Sequence, residues 1–234
     1  TIVLDGGEHP TEINEAGPEV EEARWRELLA ALPAGRLVVS GSLPPGTAPE
    51  RFGELLGGLV GPHAAPLTVD AHGPALIAAL RAGADLVAPN RRELEEAAAA
   101  LPLEAGSDLD AAEALPDDLP GAGALRRSVA LATALRRRFG SRVLVTLGEA
   151  GAVLVAARTW LARAARVDAV NPIGSGDCLL GAFLWAEEAG LREDEALALG
   201  VAAGADNARR GGGGTLDGAS VRALAARVRL EAVS

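Results

Sequence analysis

The chain has 234 residues, 49% of them hydrophobic, with three histidines, one cysteine and a formal net charge of −10. That length and apolar content suit one α/β domain, residues 1–234, with room for a small appendage, and an acidic chain with only 3% aromatic residues offers no footprint for nucleic acid. No apolar run approaches the roughly 18–20 residues that span a bilayer, no leader is expected ahead of the fold, and a lone Cys178 closes no internal disulfide; the expected compartment is the cytoplasm, with no membrane partner.

Thr1–Leu4 and Thr11–Asn14 flank Asp5-Gly6-Gly7 and read as a hairpin. Because Thr1–Leu4 is already a strand and the chain holds no methionine, it is expected to lack its natural beginning. Glu19–Leu32 has a helical composition and stops at Pro33-Ala34-Gly35. Leu37–Val39 is a short apolar strand closed by the loop Ser40–Gly46. The alternation continues with helix Ala48–Leu59, strand Leu67–Val69 ending at Asp70, helix Pro74–Ala82, strand Asp85–Val87 ending at Pro89-Asn90, and helix Arg91–Leu101. Leu103–Gly123, rich in Pro, Asp and Gly, reads as a surface excursion. Helix Ala124–Phe139 ends in Arg136-Arg137-Arg138, where cations complement the helix dipole. All 22 basic residues are arginine, so a side-chain cation meeting a phosphate brings a planar fork.

Strand Arg142–Thr146, the turn Gly148–Gly151 and strand Ala152–Ala156 come next. Val167–Val170, read as a strand, leads through a glycine-rich turn into helix Asp177–Ala189, and helices Arg192–Asn207 and Leu216–Leu230 close the chain. Such alternation predicts a mostly parallel sheet covered on both faces. Ligands of such sheets sit beyond the carboxyl ends of the strands, where Ser42, Asp70, Asn90, Gly148 and the turn at Gly174 all fall.

The sharpest motif is Asn171-Pro172-Ile173-Gly174-Ser175-Gly176-Asp177. Glycines at a helix start let backbone N–H groups approach an anion, and a carboxylate beside that anion can accept a proton from an attacking hydroxyl. The same residues also suit an ordinary turn whose Asp177 caps a helix. Asn90-Arg91-Arg92-Glu93 matches a capping box and equally a nucleotide-phosphate and Mg²⁺ contact. Thr146-Leu147-Gly148-Glu149-Ala150-Gly151 is a tight hairpin or the lining of a nucleotide. His9, His63 and His72 lack metal-ligand spacing, and Cys178 reads as a buried small side chain.

Taken together these stretches resemble the PfkB branch of the ribokinase-like carbohydrate kinases, and among them the kinases that act on fructose-1-phosphate and tagatose-6-phosphate. Thr11–Pro18 is similar to that group's TEINE-x-GP, Ser40–Gly46 to SGSLPPG, Pro89–Leu94 to PN-x-x-EL, Thr146–Gly151 to SLG-x-x-G, and Val170–Asp177 to VNT-x-GAGD. The resemblance implies a three-layer ribokinase-like α/β fold with the remnant of a small β lid at residues 1–16, and a phosphotransferase whose partners are ATP and a ketohexose monophosphate.

The resemblance also implies roles residue by residue. Asp177 is the base, and Gly174, Ser175 and Gly176 build the anion hole. Asn90, Thr146, Gly148, Gly151, Val201 and Ala205 serve ATP. Glu93 serves Mg²⁺, and Ser42 together with Asp177 faces the sugar phosphate. Asn171, Ile173, Asn207 and the Gly211–Gly214 loop lie where some relatives hold a monovalent cation such as K⁺. Pro172, Ser175 and Ala88 depart from the family's usual Thr, Ala and Lys. The family's first strand, its sugar-binding Asp and its GGKG-x-N loop precede Thr1, so the full-length form is the one in which the lid would build a homodimer. The competing expectations are a kinase for an unphosphorylated sugar or nucleoside, and a nucleotide-binding piece without catalysis.

Overall fold

The computed structural model describes residues 17–32, 34–61, 65–101, 103 and 121–233. The expected hairpin and lid strands at residues 1–16, and nearly all of the excursion 103–123, lie outside the described residues. The elements run α1 (Glu22–Ala31), β1 (Leu37–Ser40), α2 (Pro49–Gly57), β2 (Leu67–Asp70), α3 (Gly73–Ala82), β3 (Leu86–Val87), α4 (Arg91–Ala100), α5 (Ala122–Phe139), β4 (Arg142–Thr146), a 3₁₀ turn (Gly148–Ala150), β5 (Ala152–Val155), β6 (Thr159–Arg163), α6 (Ser175–Glu188), α7 (Glu193–Ala208), α8 (Gly218–Ala225) and β7 (Arg229–Ala232).

The seven strands form one sheet in chain order, β1 to β7. β1 to β4 pair in parallel, with Leu37 opposite Leu67, Val69 opposite Val87, and Val87 opposite Val143. β5, β6 and β7 continue as antiparallel neighbours. Because β6 reverses β5, five of the seven strands point the same way, which is the mostly parallel sheet the sequence predicts.

Alternation along each strand sends neighbouring side chains to opposite faces. Val143, Val145, Val153 and Val155 join a core with Leu76 of α3, Leu94 of α4 and Leu135 of α5. Leu144, Ala152 and Leu154 join a second core with Leu180 and Phe183 of α6 and Leu197 and Val201 of α7. Helices therefore cover both faces. Phe183 is fully buried, and removing such a ring costs about 3–5 kcal/mol. Among the described residues no helix is long and apolar enough to cross a membrane.

Two readings of the sequence need correction. Val167–Val170 is not a strand: the chain there lacks a ladder, and the strand entering this region is β6. Val170 is an exposed apolar residue, so its hydrophobicity does not report burial. The last helix stops at Ala225, and the following residues form β7 against β6, with Leu230 opposite Ala162. β7 is a largely exposed edge strand, and its charged Arg229 and Glu231 beside exposed Leu230 do not show the alternation of a buried strand.

Candidate active site

The carboxyl ends of β2, β3 and β4 open onto the amino end of α6. There a cleft of about 220 Å³ is lined by Asp70, Asn90, Glu93, Thr146, Gly174, Gly176 and Asp177, with Ala88, Leu144, Leu179 and Leu180 as apolar walls. Two larger hollows, of about 460 and 570 Å³, lie elsewhere: one at the amino ends of the parallel strands beside Arg36 and Arg142, the other between α2 and α3. The smaller cleft alone of these three joins strand-end residues to a glycine helix start and a capping box, and ligands of such sheets bind at the carboxyl ends of the strands.

Gly174 is the residue before α6 and has a φ of 78°, in the left-handed region. A β-carbon there would stand 3.0 Å from the Gly214 nitrogen, so both conformation and space call for glycine. No side chain caps the helix. The Ser175 N–H donates to Pro172 O at 3.1 Å and the Cys178 N–H to Gly174 O at 2.9 Å. The first-turn amides of Gly176 and Asp177 are the groups a helix leaves without an internal partner, and both residues border the cleft. Asp177 lies in the first turn of α6, two residues inside the helix rather than at its start. Its carboxylate complements the dipole but makes no cap. Cys178 is buried; burial pushes its thiol up, as do the charges of Asp177 and Asp206, so it is a packing residue.

Across the cleft, α4 begins with a capping box. Asn90 Oδ1 accepts from the Glu93 N–H at 3.0 Å, and Glu93 Oε2 accepts from the Asn90 N–H at 2.9 Å. Asn90 is bridged in parallel to Thr146, whose N–H donates to Pro89 O at 3.1 Å. The cap and the cleft wall are therefore the same residues.

Asp70, the last residue of β2, lines the cleft and is held by Ser40 of β1. Burial raises its carboxyl above the ordinary carboxylate range, the Ser40 hydroxyl opposes that, and the charges of Asp177 and Glu93 add to it. Ser40 Oγ donates to Asp70 at 3.2 Å. Ser40 stands inside a recognised motif, yet its role emerges only once β1 and β2 are paired.

The other expected site residues lie outside the lining of this cleft. Ser42 is exposed beyond β1. Gly148 is exposed in the 3₁₀ turn, while a β-carbon on Gly151 would collide with Ala162 O at 2.0 Å; glycine there lets β5 approach β6. Val201 is 2% exposed in the core against α6, and Ala205 is half-buried one turn later. Ser175 Oγ accepts from Asn207 Nδ2 at 3.0 Å, and Asn171, Ile173 and Asn207 are drawn together with loop 211–214.

Asp206 escaped the sequence reading altogether. It is 1% exposed and accepts from Arg210, from Ser220 Oγ at 2.5 Å and from the Asp217 N–H at 2.9 Å. Burial works against its charge, but these hydrogen bonds outweigh burial and hold the carboxyl below its ordinary value. It fastens α7 to α8 behind the glycine loop.

The donor set fits an anionic nucleotide with a hard cation. Amides and glycines suit phosphate, and oxygen ligands suit Mg²⁺, which uses one or two carboxylates and leaves other positions to phosphate and water. Among the described residues no group of three acidic, histidine or cysteine side chains is gathered tightly enough to hold a metal by itself.

Residues 1–217 match the pfkB family carbohydrate kinase profile. The chain is 31% identical over 227 residues to the 1-phosphofructokinase of Escherichia coli strain K12, a match covering 94% of this chain and 66% of the relative. It is 31% identical over 193 residues to the D-tagatose-1-phosphate kinase of Bacillus licheniformis, covering 80% of this chain and 57% of that protein. The chain thus spans about two thirds or less of the length of these relatives. Among solved structures, phosphofructokinase-2 from Escherichia coli in complex with potassium superposes with a TM-score of 0.72 at 26% identity, covering 89% of this chain and 63% of that one.

Proposed function

Since this chain belongs to the pfkB family of carbohydrate kinases, we propose that it transfers the γ-phosphoryl group of ATP to a hydroxyl of a ketohexose monophosphate of the fructose-1-phosphate or tagatose phosphate type. The observation that carries this reading is the single cleft in which Asp177, the glycine start of α6 and the Asn90–Glu93 cap face one another.

In this reading Asp177 accepts the proton of the sugar hydroxyl as that oxygen attacks. The first-turn amides of α6, Gly174 to Asp177, stabilise the charge on the phosphoryl group in flight. Asn90 and Glu93 hold the phosphate and Mg²⁺ end of the nucleotide, with Mg²⁺ supplying charge neutralisation there. Asp70, already disfavoured as a lone anion by burial and held by Ser40, faces the acceptor side, and Ser42 serves the sugar phosphate. Thr146, Gly148, Gly151 and Ala205 serve the remainder of the nucleotide along the β4–β5 turn and α7, while Val201, buried in the core against α6, supports that helix. Most of the rate comes from positioning and charge stabilisation.

The test is ATP-dependent ADP release with fructose-1-phosphate, tagatose-1-phosphate, tagatose-6-phosphate and fructose-6-phosphate, set against fructose, ribose and a nucleoside. The reading expects turnover confined to ketohexose phosphates. Preference for an unphosphorylated sugar or nucleoside would move the substrate class. ATP binding without turnover on any acceptor would make the chain a nucleotide-binding piece.

A further inference from the structure

We propose that the buried side-chain amide of Asn207 stands in for a monovalent cation, so that this protein's turnover does not depend on potassium; the inference rests on the kinase reading above. Phosphofructokinase-2 from Escherichia coli, a structural relative, has been solved in complex with potassium, and the resemblance sets a cation among Asn171, Ile173, Asn207 and loop 211–214. These residues do converge, but their oxygens are already engaged. Ile173 O accepts from Asn207 Nδ2 at 2.8 Å, Gly211 O from Asn171 Nδ2 at 3.2 Å, and Gly212 O from Thr215 Oγ1 at 3.0 Å. Ala208 O accepts from the Val170 and Asn171 N–H groups at 2.7 and 2.9 Å, and Asn207 O from the Arg210 N–H at 2.9 Å.

The orientation of both amides is dictated by their partners. Asn207 Oδ1 accepts from the N–H groups of Gly214 and Thr215 at 2.7 and 3.3 Å, which can only donate. The other end of the amide must then be the NH₂ group, and it meets Ile173 O and Ser175 Oγ. Likewise Asn171 Oδ1 accepts from the Ile173 N–H at 3.0 Å, so its NH₂ faces Gly211 O. A cation on Ile173 O would sit against amide protons on a side chain that is 0% exposed. Displacing that amide would strand buried donors, which is costly. The positive pole that an ion would bring to this carbonyl is built into the chain. It ties the residues on either side of Gly174 to Gly214 and Thr215, and so positions the anion-binding turn.

The test compares the unmodified chain with Asn207→Asp in potassium chloride and in choline chloride at equal ionic strength, reading melting temperature and ATP-dependent turnover. For the unmodified chain both are expected to be indifferent to the cation. Asn207→Asp sets a carboxylate against the Ile173 carbonyl. It is expected to lose about tenfold or more of its turnover in choline, with potassium restoring part of the rate and raising the melting temperature. Saturable activation of the unmodified chain by potassium overturns the proposal, as does a potassium-specific rise in its melting temperature, since a ligand of the native state must stabilise it. An Asn207→Asp chain as active and as cation-indifferent as the original overturns it too. If Asn207→Asp does not fold, the melts of the unmodified chain decide alone. Absence of turnover in every salt would count against the kinase reading, while those same melts still decide the cation question.

Discussion

Replacing Gly174 and Gly176 with alanine, one at a time, is expected to move this protein in opposite directions. Gly174 has a φ of 78°, and a non-glycine residue in that region pays about 1–2 kcal/mol. Its new methyl would also lie 3.0 Å from the Gly214 nitrogen, pushing on the 2.7 Å hydrogen bond from that nitrogen to Asn207. Loosening it adds about 1 kcal/mol. The sum, roughly 2–3 kcal/mol, lowers the melting temperature of a chain this size by roughly 4–12 °C. Gly176 has an ordinary helical φ and open space at its β-carbon. Alanine there gains about 0.5–1 kcal/mol from reduced backbone entropy, yet under the proposed function its methyl would intrude where phosphate approaches the amides. Differential scanning calorimetry, with titration of a non-hydrolysable ATP analogue, reads both effects. Gly174→Ala is expected to melt early, and Gly176→Ala to melt slightly late while binding nucleotide more weakly. A Gly174→Ala chain with unchanged stability would refute the steric argument; a Gly176→Ala chain with full nucleotide affinity would refute the anion-binding turn.

Glu93→Gln keeps a capping-box acceptor at its position, so its stability loss is expected to stay below about 1 kcal/mol while the Mg²⁺ concentration for half-maximal rate rises; a Mg²⁺ titration with thermal melts separates these, and an unmoved titration leaves Glu93 only its cap. Asp70 has a raised carboxyl in the folded chain, so the native state binds its proton more tightly than the unfolded state does, and stability falls as pH climbs from the ordinary carboxylate value through the raised one. Asp70→Asn still accepts from Ser40 and escapes that loss: its melting temperature should exceed the original's at neutral pH and converge with it in acid, and a pH-independent difference would contradict the assignment. Gly151→Ala would drive a β-carbon to 2.0 Å from Ala162 O, so β5 and β6 should separate locally, read as faster amide exchange in both strands; unchanged exchange would contradict that packing.

The residues of the cleft were readable because they punctuate apolar runs. Asn90 follows Leu86–Val87, Thr146 closes β4 and Asp70 closes β2, and in a parallel sheet those ends share one edge. The capping box was readable for a local reason, since Asn90 and Glu93 satisfy each other within four residues. What stayed hidden depends on long-range packing. Ser40 gains its role only from a partner 30 residues away. Asp206 reads as one more acidic residue on α7 until Ser220 and the Asp217 amide fold back onto it. β7 carries an exposed, arginine-bearing pattern, and its strand identity comes from β6. Val201 offers no polar signal to separate a nucleotide neighbour from a core residue, and it packs in the core against α6.

The measurement closest to the central claim is the turnover of Asp177→Asn against its affinity for an ATP analogue, on the acceptor the substrate panel selects. The substitution keeps the size of the side chain and the first-turn amides of α6 while removing the proton acceptor. The account predicts that kcat falls by on the order of 10² to 10⁴ with nucleotide affinity essentially unchanged. A near-normal kcat would contradict it, leaving Asp177 as a helix-dipole residue at the edge of a phosphate site.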